Sequence, residues 1–110
     1  MRRYVADVAK YPPLDPDEEA RLLQIAAPGP DAPAEAVEAL ATLTRANLRL
    51  VVDIARTYEP TDRPLLKLVQ DGNLGLMHGI DSFDPNFGVS FRDHLTASIR
   101  AAIESAGVTG

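Results

Sequence analysis

The sequence predicts an all-α protein that folds as a compact helical bundle. Apolar residues recur at steps of three and four through most of the chain, which is the spacing of an amphipathic helix. No stretch shows the sustained two-residue alternation of β-branched residues that is typical of strands. The 110 residues, of which 45% are hydrophobic and 25% charged, have an ordinary globular balance and suffice for one modest core.

Two helices are predicted in the N-terminal part of the chain. The first covers residues 2–10 and ends before Pro12. The second begins with Asp15 as its N-cap, and Glu18 is predicted to complete a capping box. This helix ends at a connector over residues 27–33, whose three prolines predict a stiff segment rather than a flexible linker.

A long helical stretch is predicted over residues 34–58, where Asn47 is expected to break it into two pieces. A turn over residues 59–62 ends this stretch. Pro64 then begins another helix, because proline is well suited to the first turn, and this helix continues to about Ile80.

The final helix is predicted to follow a tight turn. Residues 84–88 contain aspartate, proline, asparagine and glycine, which turns prefer. Ser90 is placed to cap the helix that follows, and the helix is expected to continue to about Ala106.

The helix predicted from Pro64 has two different faces. One face is expected to pack into the bundle and consists of Leu65, Leu68, Val69, Leu76 and Ile80. The other is a mixed stripe of apolar and amide side chains, namely Leu66, Gln70, Asn73 and Met77. Because apolar anchors supply buried area and amides fix register, this stripe suits docking against another helix. The alternative is that Leu66 and Met77 also belong to the core and that the amides are only solvated.

Composition excludes several classes of function. The chain has no cysteine, so it forms neither a disulfide nor a thiolate metal site, and a reducing cytoplasmic setting fits. His78 and His94 lie on different predicted helices without ligand-spaced companions. No apolar run is long enough to cross a membrane. We therefore expect a cytoplasmic protein that is not an enzyme, with no metal, cofactor, small-molecule substrate or membrane partner.

Three motifs resemble region two of the bacterial sigma-70 family. They are ANLRLVV at residues 46–52, LLKLVQDGNLGLM at residues 65–77 and FDP at residues 83–85, in the order and spacing of that family. The resemblance implies that residues 31–110 form a helical domain similar to sigma region two. Residues 1–30 resemble the helical segment that precedes this region in primary sigma factors.

The resemblance also implies a partner, the RNA polymerase core, which the mixed stripe would contact at the clamp coiled coil of the largest catalytic subunit. The residues carried over to this contact are Leu66, Lys67, Gln70, Asp71, Asn73 and Met77. Lys67 is a departure, because the family usually has an aspartate at this position. The charge reversal is expected to weaken or redirect the choice of partner.

The helix that contacts promoter DNA in this family is altered in the present chain. Family members hold a flipped base on aromatic rings, whereas this chain has Ala97 and Ser98 in place of paired tryptophans and His94 in place of a tyrosine. Base stacking contributes about 1–3 kcal/mol per base, which small side chains do not supply. The formal net charge of −5 also disfavours general attraction to phosphates, so promoter DNA is expected to bind weakly.

Six residues are carried over as candidates for DNA contact: Asn47, Leu50, Phe83, Phe87, Arg92 and His94. A structural role explains Asn47 and Leu50 equally well, and for His94 it is the favoured explanation. Asn47 can serve as a helix-break amide, Leu50 as a core residue and His94 as an ordinary residue of the helix surface.

Three functions remain open. The first is a sigma-like protein that binds the polymerase core but lacks the promoter-melting face, and so acts as a regulator, a competitor or one part of a split sigma factor. The second is a divergent sigma factor that directs initiation at an altered promoter element and reads DNA through the loop over residues 84–90. The third is a helical scaffold for another protein partner. The start at Met1 and the changed DNA face favour a short stand-alone paralogue.

Overall fold

The computed structural model describes residues 14–26, 31–59 and 63–109, and within these ranges it contains helices and no strand. The helices are α1 (Pro16–Ile25), α2 (Ala34–Ala46), α3 (Leu48–Arg56), α4 (Leu65–Ser82) and α5 (Phe91–Thr109), with a 3-10 turn at Pro85–Phe87. The predicted all-α class is therefore confirmed. The helix predicted over residues 2–10 lies outside the described residues, as does part of each predicted connector.

The start of α1 follows the sequence prediction only in part. The Asp15 carboxylate accepts a hydrogen bond from the backbone N–H of Asp17 at 3.0 Å, so the predicted N-cap is confirmed. Glu18, however, does not close the predicted capping box. Its carboxylate accepts from the Arg21 guanidinium at 2.7 Å, and this hydrogen bond lowers the pKa of Glu18.

The helix break at Asn47 is confirmed, and its side chain explains the break. Asn47 Nδ2 donates to the carbonyl of Leu43 at 2.8 Å, so the amide satisfies an acceptor at the end of α2. Ser90 also caps α5 as predicted, since its Oγ accepts from the backbone N–H of Asp93 at 3.1 Å. The last two helices end two and three residues later than predicted, at Ser82 and Thr109.

The core is formed mainly between α3, α4 and α5. The fully buried large side chains at its centre are Leu43, Val51, Val52, Leu68, Val69, Leu76, Leu95, Ile99 and Ile103. Among the described elements, α4 and α5 share the most extensive contact. The packing of α5 against α4 therefore supports the exposed surface of α4. None of the described helices is long and apolar enough to cross a membrane.

Helices α4 and α5 approach each other closely at Gly75. A Cβ atom at this position would lie only 2.6 Å from the backbone oxygen of Ser98, so a residue without a side chain is required for the observed packing. Ser98 Oγ also donates to the carbonyl of Gly75 at 2.7 Å. This bond fixes the register of the two helices.

The end of α3 is attached to α5 through Tyr58. Its hydroxyl donates to the Glu104 carboxylate at 2.8 Å, and the Arg100 guanidinium lies 5.7 Å from the centre of its ring. Burial raises the pKa of Tyr58, and the bond to Glu104 raises it further. The end of α3 is thereby held against α5.

Candidate docking surface

The outer side of α4 exposes large apolar side chains. Leu66 is 50% exposed, Leu74 67% and Met77 53%, and Gln70 lies exposed among them. The alternative that Leu66 and Met77 belong to the core is therefore wrong. A contiguous group of exposed apolar side chains is typical of an interaction surface. We call the surface formed by Leu66, Gln70, Asn73, Leu74 and Met77 the α4 face.

Leu74 is the member of the α4 face that sequence reasoning missed. It follows Gln70 by four residues and Leu66 by eight, and so lies on the same side of the helix. This spacing could have identified Leu74, but the residue lies at the margin of the stripe formed by Leu66 and Met77. The described structure decides the matter, because Leu74 has the largest exposed fraction of the apolar residues on α4.

Asp71, predicted as a contact residue, does not lie on the α4 face. It is only 5% exposed, and each of its carboxylate oxygens holds one cation. Oδ2 accepts from Arg63 at 3.2 Å and Oδ1 from Lys67 at 3.1 Å. A direct partner contact stays a prediction for Asp71, whose carboxylate is held by Arg63 and Lys67.

Lys67 lies at the edge of the α4 face and remains accessible. Its side chain is 54% exposed while its ammonium group pairs with Asp71. Asn73, by contrast, is half-buried, so it contributes less surface than Gln70. The predicted contact residues thus divide into exposed ones, namely Leu66, Lys67, Gln70 and Met77, and partly or fully buried ones, namely Asn73 and Asp71.

A shallow groove of about 480 Å³ lies between α4 and α5, next to the α4 face. Leu74 and His78 line it from α4, and Ala97 and Ala101 line it from α5. The residues that α5 contributes here are small apart from His94, and Ser98 already bonds to the Gly75 carbonyl. The His94 imidazole is therefore the one ring that α5 brings to this groove, and no phenylalanine, tyrosine or tryptophan lines it.

His94 is engaged within the protein. Its Nε2 lies 3.0 Å from the hydroxyl of Ser82, and its ring lies 5.6 Å from that of Phe83. The ring of Phe83 in turn meets Phe91 edge-on at 5.0 Å. Both His94 and Phe83 are half-buried. Packing where α4 ends against α5 is therefore a structural role for these two predicted DNA-contact residues.

Phe87 differs from the other candidates for DNA contact because it is 78% exposed. The loop that carries it is ordered by Asp84, whose carboxylate accepts from the backbone N–H of Asn86 at 2.9 Å. Gly88 follows with a φ of 75°, a left-handed conformation that glycine adopts at little cost. The aromatic ring is thus presented outward on a defined turn.

The remaining candidates are divided between core and surface. Leu50 is only 9% exposed and belongs to the hydrophobic core. Asn47 is half-buried and holds the end of α2, whereas Arg92 is exposed at the start of α5. Only Phe87 and Arg92 among the six predicted residues are exposed.

No group of three or more metal-ligating side chains occurs within the described part of the chain. Two exposed features of the described residues are candidates for contact with a partner. They are the α4 face, with Lys67 at its edge, and the turn that presents Phe87.

Comparison with known proteins agrees with the motifs. The family model for Sigma-70 region 2 matches residues 43–106. RNA polymerase sigma factor SigA of Lactococcus lactis subsp. cremoris is 39% identical over 106 residues, which are 96% of this chain and 28% of that protein. RNA polymerase sigma factor RpoH of Zymomonas mobilis is 34% identical over 94% of this chain, and RpoS of Coxiella burnetii is 38% identical over the same share. The chain spans a third or less of the length of these relatives.

Proposed function

This chain belongs to the sigma-70 family, through its region 2, and from that premise we propose that it binds the RNA polymerase core through the α4 face but does not melt promoter DNA by itself. The partner element is the clamp coiled coil of the largest catalytic subunit. The protein then acts as a regulator, as a competitor of a complete sigma factor, or as one part of a split factor.

The observation that carries this proposal is the exposure of Leu66, Leu74 and Met77 along one side of α4. Interfaces derive most of their affinity from a few central apolar or aromatic anchors surrounded by polar groups. Leu66 and Met77 are three helical turns apart, with Gln70 between them, which suits contact with an elongated helical partner. A coiled coil offers such a partner surface.

The second half of the proposal concerns α5. Unstacking a base costs a few kcal/mol, and stacking on an aromatic ring returns about 1–3 kcal/mol per base. Ala97 is exposed but small, and Ser98 is occupied by its bond to Gly75. His94 is packed against Ser82 and Phe83. These residues do not compensate for an unstacked base, which supports a role in which another chain supplies promoter melting.

The test is the affinity of this chain for core polymerase of the same organism, compared between wild type and the double variant Gln70→Ala/Met77→Ala. Truncation of a central anchor costs more than about 1 kcal/mol, and each 1.4 kcal/mol is tenfold in affinity. We expect the double variant to bind roughly 10- to 100-fold more weakly. Both residues are exposed, so its melting temperature should equal that of wild type.

Val37→Ala is the matched control, because Val37 is 43% exposed on α2, away from the α4 face. It should bind as wild type does. A primary sigma factor should compete with the bound chain. If the wild-type chain does not bind core polymerase at micromolar concentration, the proposal fails, and a helical scaffold for a different protein becomes the better explanation.

A second candidate function is favoured by the exposure of Phe87. In this alternative the protein is a divergent sigma factor, and the loop over residues 84–90 inserts Phe87 against an unpaired base of an altered promoter element. The 78% exposed ring on an ordered turn has no role in the described core. Phe87 would then supply the stacking surface that α5 lacks.

We expect the complex of this chain with core polymerase to bind single-stranded DNA weakly, and Phe87→Ala to change this by less than about twofold. Fluorescence anisotropy with single-stranded promoter fragments measures the affinity. Val89→Ala serves as the control, since Val89 is 48% exposed on the same loop but has no ring. A loss of roughly tenfold that is specific to Phe87→Ala would favour the divergent sigma factor instead.

A further inference from the structure

The groove between α4 and α5 has a projecting apolar side chain on one wall and small side chains on the other. Leu74, which is 67% exposed, lines the groove from α4, and the exposed Ala97 and Ala101 line it from α5. An exposed apolar patch with polar residues around it is typical of an interaction surface. This patch suits a second copy of itself, because each copy offers both a projecting leucine and a groove that can receive one.

Charged side chains lie on the opposite flank of α5. The Arg100 guanidinium lies 5.7 Å from the centre of the Tyr58 ring, so this side chain is directed toward the end of α3 and away from the groove. Asp93 precedes Arg100 by seven residues, which is about two helical turns, and therefore lies on the same flank. Both side chains are exposed, and so is Ala97 between them.

The positions of these two charges favour one way of pairing two copies of α5. Asp93 lies about 6 Å before Ala97 along the helix axis and Arg100 about 4.5 Å after it. If two α5 helices cross antiparallel at Ala97, each Asp93 comes level with the partner's Arg100 to within about 1.5 Å along the axis. A parallel pair would set like charges side by side. Complementary charges therefore favour the antiparallel pair.

The rest of the surface fits the antiparallel pair. Ala97 and Ala101 let two helices approach closely, because neither has a side chain beyond Cβ. Glu104 lies about 10.5 Å beyond Ala97 and comes level with the start of the partner's α5, where the helix dipole favours a negative charge. A two-fold axis also places the same flank of both copies together, so each Leu74 faces the groove of the other copy.

From the groove and the charge positions together we propose that this protein forms a two-fold symmetric homodimer through α5 and Leu74. The two α5 helices cross antiparallel at Ala97, and two reciprocal ion pairs join Asp93 to the partner's Arg100. Each Leu74 enters the groove of the other copy. The dimer goes beyond the proposed binding of core polymerase and excludes it, because Leu74 also belongs to the α4 face. Since the surface is small, we expect a weak dimer with a dissociation constant on the order of tens of micromolar.

The test is sedimentation equilibrium from low micromolar to several hundred micromolar protein, where wild type should pass from monomer to dimer. Ala97→Glu sets two carboxylates against each other at the two-fold axis, so we expect it to weaken the dimer at least roughly tenfold. Ala97 is exposed, and glutamate is a good helix former, so the melting temperature should stay that of wild type. Ala34→Glu is the matched control, because it makes the same change at an exposed position of α2, and it should dimerise as wild type does.

A charge exchange identifies the contact. Asp93→Arg alone and Arg100→Asp alone each place like charges opposite one another in a homodimer, so both variants should be monomeric over the same concentrations. An equimolar mixture of the two should form a heterodimer, because each contact then joins an arginine to an aspartate. Arg100→Asp also removes the contact with Tyr58, so its melting temperature is measured as well. If that variant does not fold, Ala97→Glu decides the question.

The outcomes keep this proposal apart from the docking on polymerase. A wild-type chain that stays monomeric at the highest concentration overturns the dimer and leaves the docking function untouched. A dimer that Ala97→Glu and Asp93→Arg leave intact uses another surface, which also overturns the proposal. Ala97→Glu should bind core polymerase as tightly as wild type, and added core should dissociate the wild-type dimer. A chain that dimerises as expected but does not bind core overturns only the docking function.

Discussion

Asp71→Ala should lower the free energy of unfolding by about 2–3 kcal/mol, the largest effect we expect from a single polar residue of this protein. Removal of one partner from a buried ion pair costs roughly 3–5 kcal/mol, because the remaining charge loses its compensation. The expected loss is smaller here since Arg63 is 25% exposed and Lys67 is 54% exposed, and water can solvate both in part. Chemical denaturation monitored by circular dichroism measures the change.

Lys67→Gln is the matched control for this experiment, because it removes one of the two cations and leaves Asp71 paired with Arg63. It should cost less than about 1 kcal/mol, as is typical of an exposed ion pair. Asp71→Asn should lie between the two, since an amide still accepts a hydrogen bond from Arg63 but carries no charge. Equal losses of unfolding free energy for Asp71→Ala and Lys67→Gln would show that the ion pair between Asp71 and Arg63 does not contribute to stability.

Gly75→Ala is the second substitution with a large expected effect, a net loss of up to about 2 kcal/mol in unfolding free energy. The added Cβ would lie 2.6 Å from the Ser98 backbone oxygen and 2.8 Å from the Cα of Ile99, and backbone atoms of α5 move only if the helix moves. Overpacking of this kind typically costs about 1–3 kcal/mol. The cost outweighs the gain of about 1 kcal/mol that alanine usually brings to a helix interior. A fall in melting temperature of several degrees is the corresponding observation.

Gly79→Ala tests whether close backbone approach, rather than glycine itself, is responsible. The nearest atoms to a Cβ at Gly79 are Leu95 Cδ2 at 2.9 Å, which is the movable end of a side chain, and Ser98 Cβ at 3.1 Å, a wider contact than the 2.6 Å approach to a backbone atom at Gly75. Their adjustment offsets part of the clash, and the higher helix propensity of alanine offsets more. We expect a change within about 1 kcal/mol. A Gly79→Ala loss as large as that of Gly75→Ala would contradict the explanation.

The helices that the sequence predicts best are those with local signals. Asp15 caps α1 and Ser90 caps α5 because each needs only a backbone N–H two or three residues away. Asn47 breaks the long helix for a similarly local reason. The prediction of a capping box at Glu18 was wrong, because Arg21 competes for the Glu18 carboxylate. Arg21 lies three residues after Glu18, as Asp15 lies three residues before it, and it carries a full positive charge.

The candidate site is predictable only where it depends on helical spacing. That spacing correctly separated the exposed Leu66 and Met77 from the buried Leu68 and Leu76. Asp71 was named by the family resemblance and not by spacing, and neither predicted that its carboxylate is buried. Its burial depends on Arg63, eight residues earlier, and on how α5 packs against the start of α4. No periodic pattern contains that information.

By itself, the sequence determined the all-α class, the family motifs, the caps and the mixed stripe on α4, because helical periodicity and capping are short-range properties of the chain. The tertiary structure alone decided that Asp71 is buried, that His94 packs against Ser82 and Phe83, and that Leu74 extends the α4 face. It also decided that the Asp71 carboxylate pairs with both Arg63 and Lys67. Burial and charge pairing depend on which helices meet and in which register, and these are set by long-range contacts such as the close approach of α4 and α5 at Gly75.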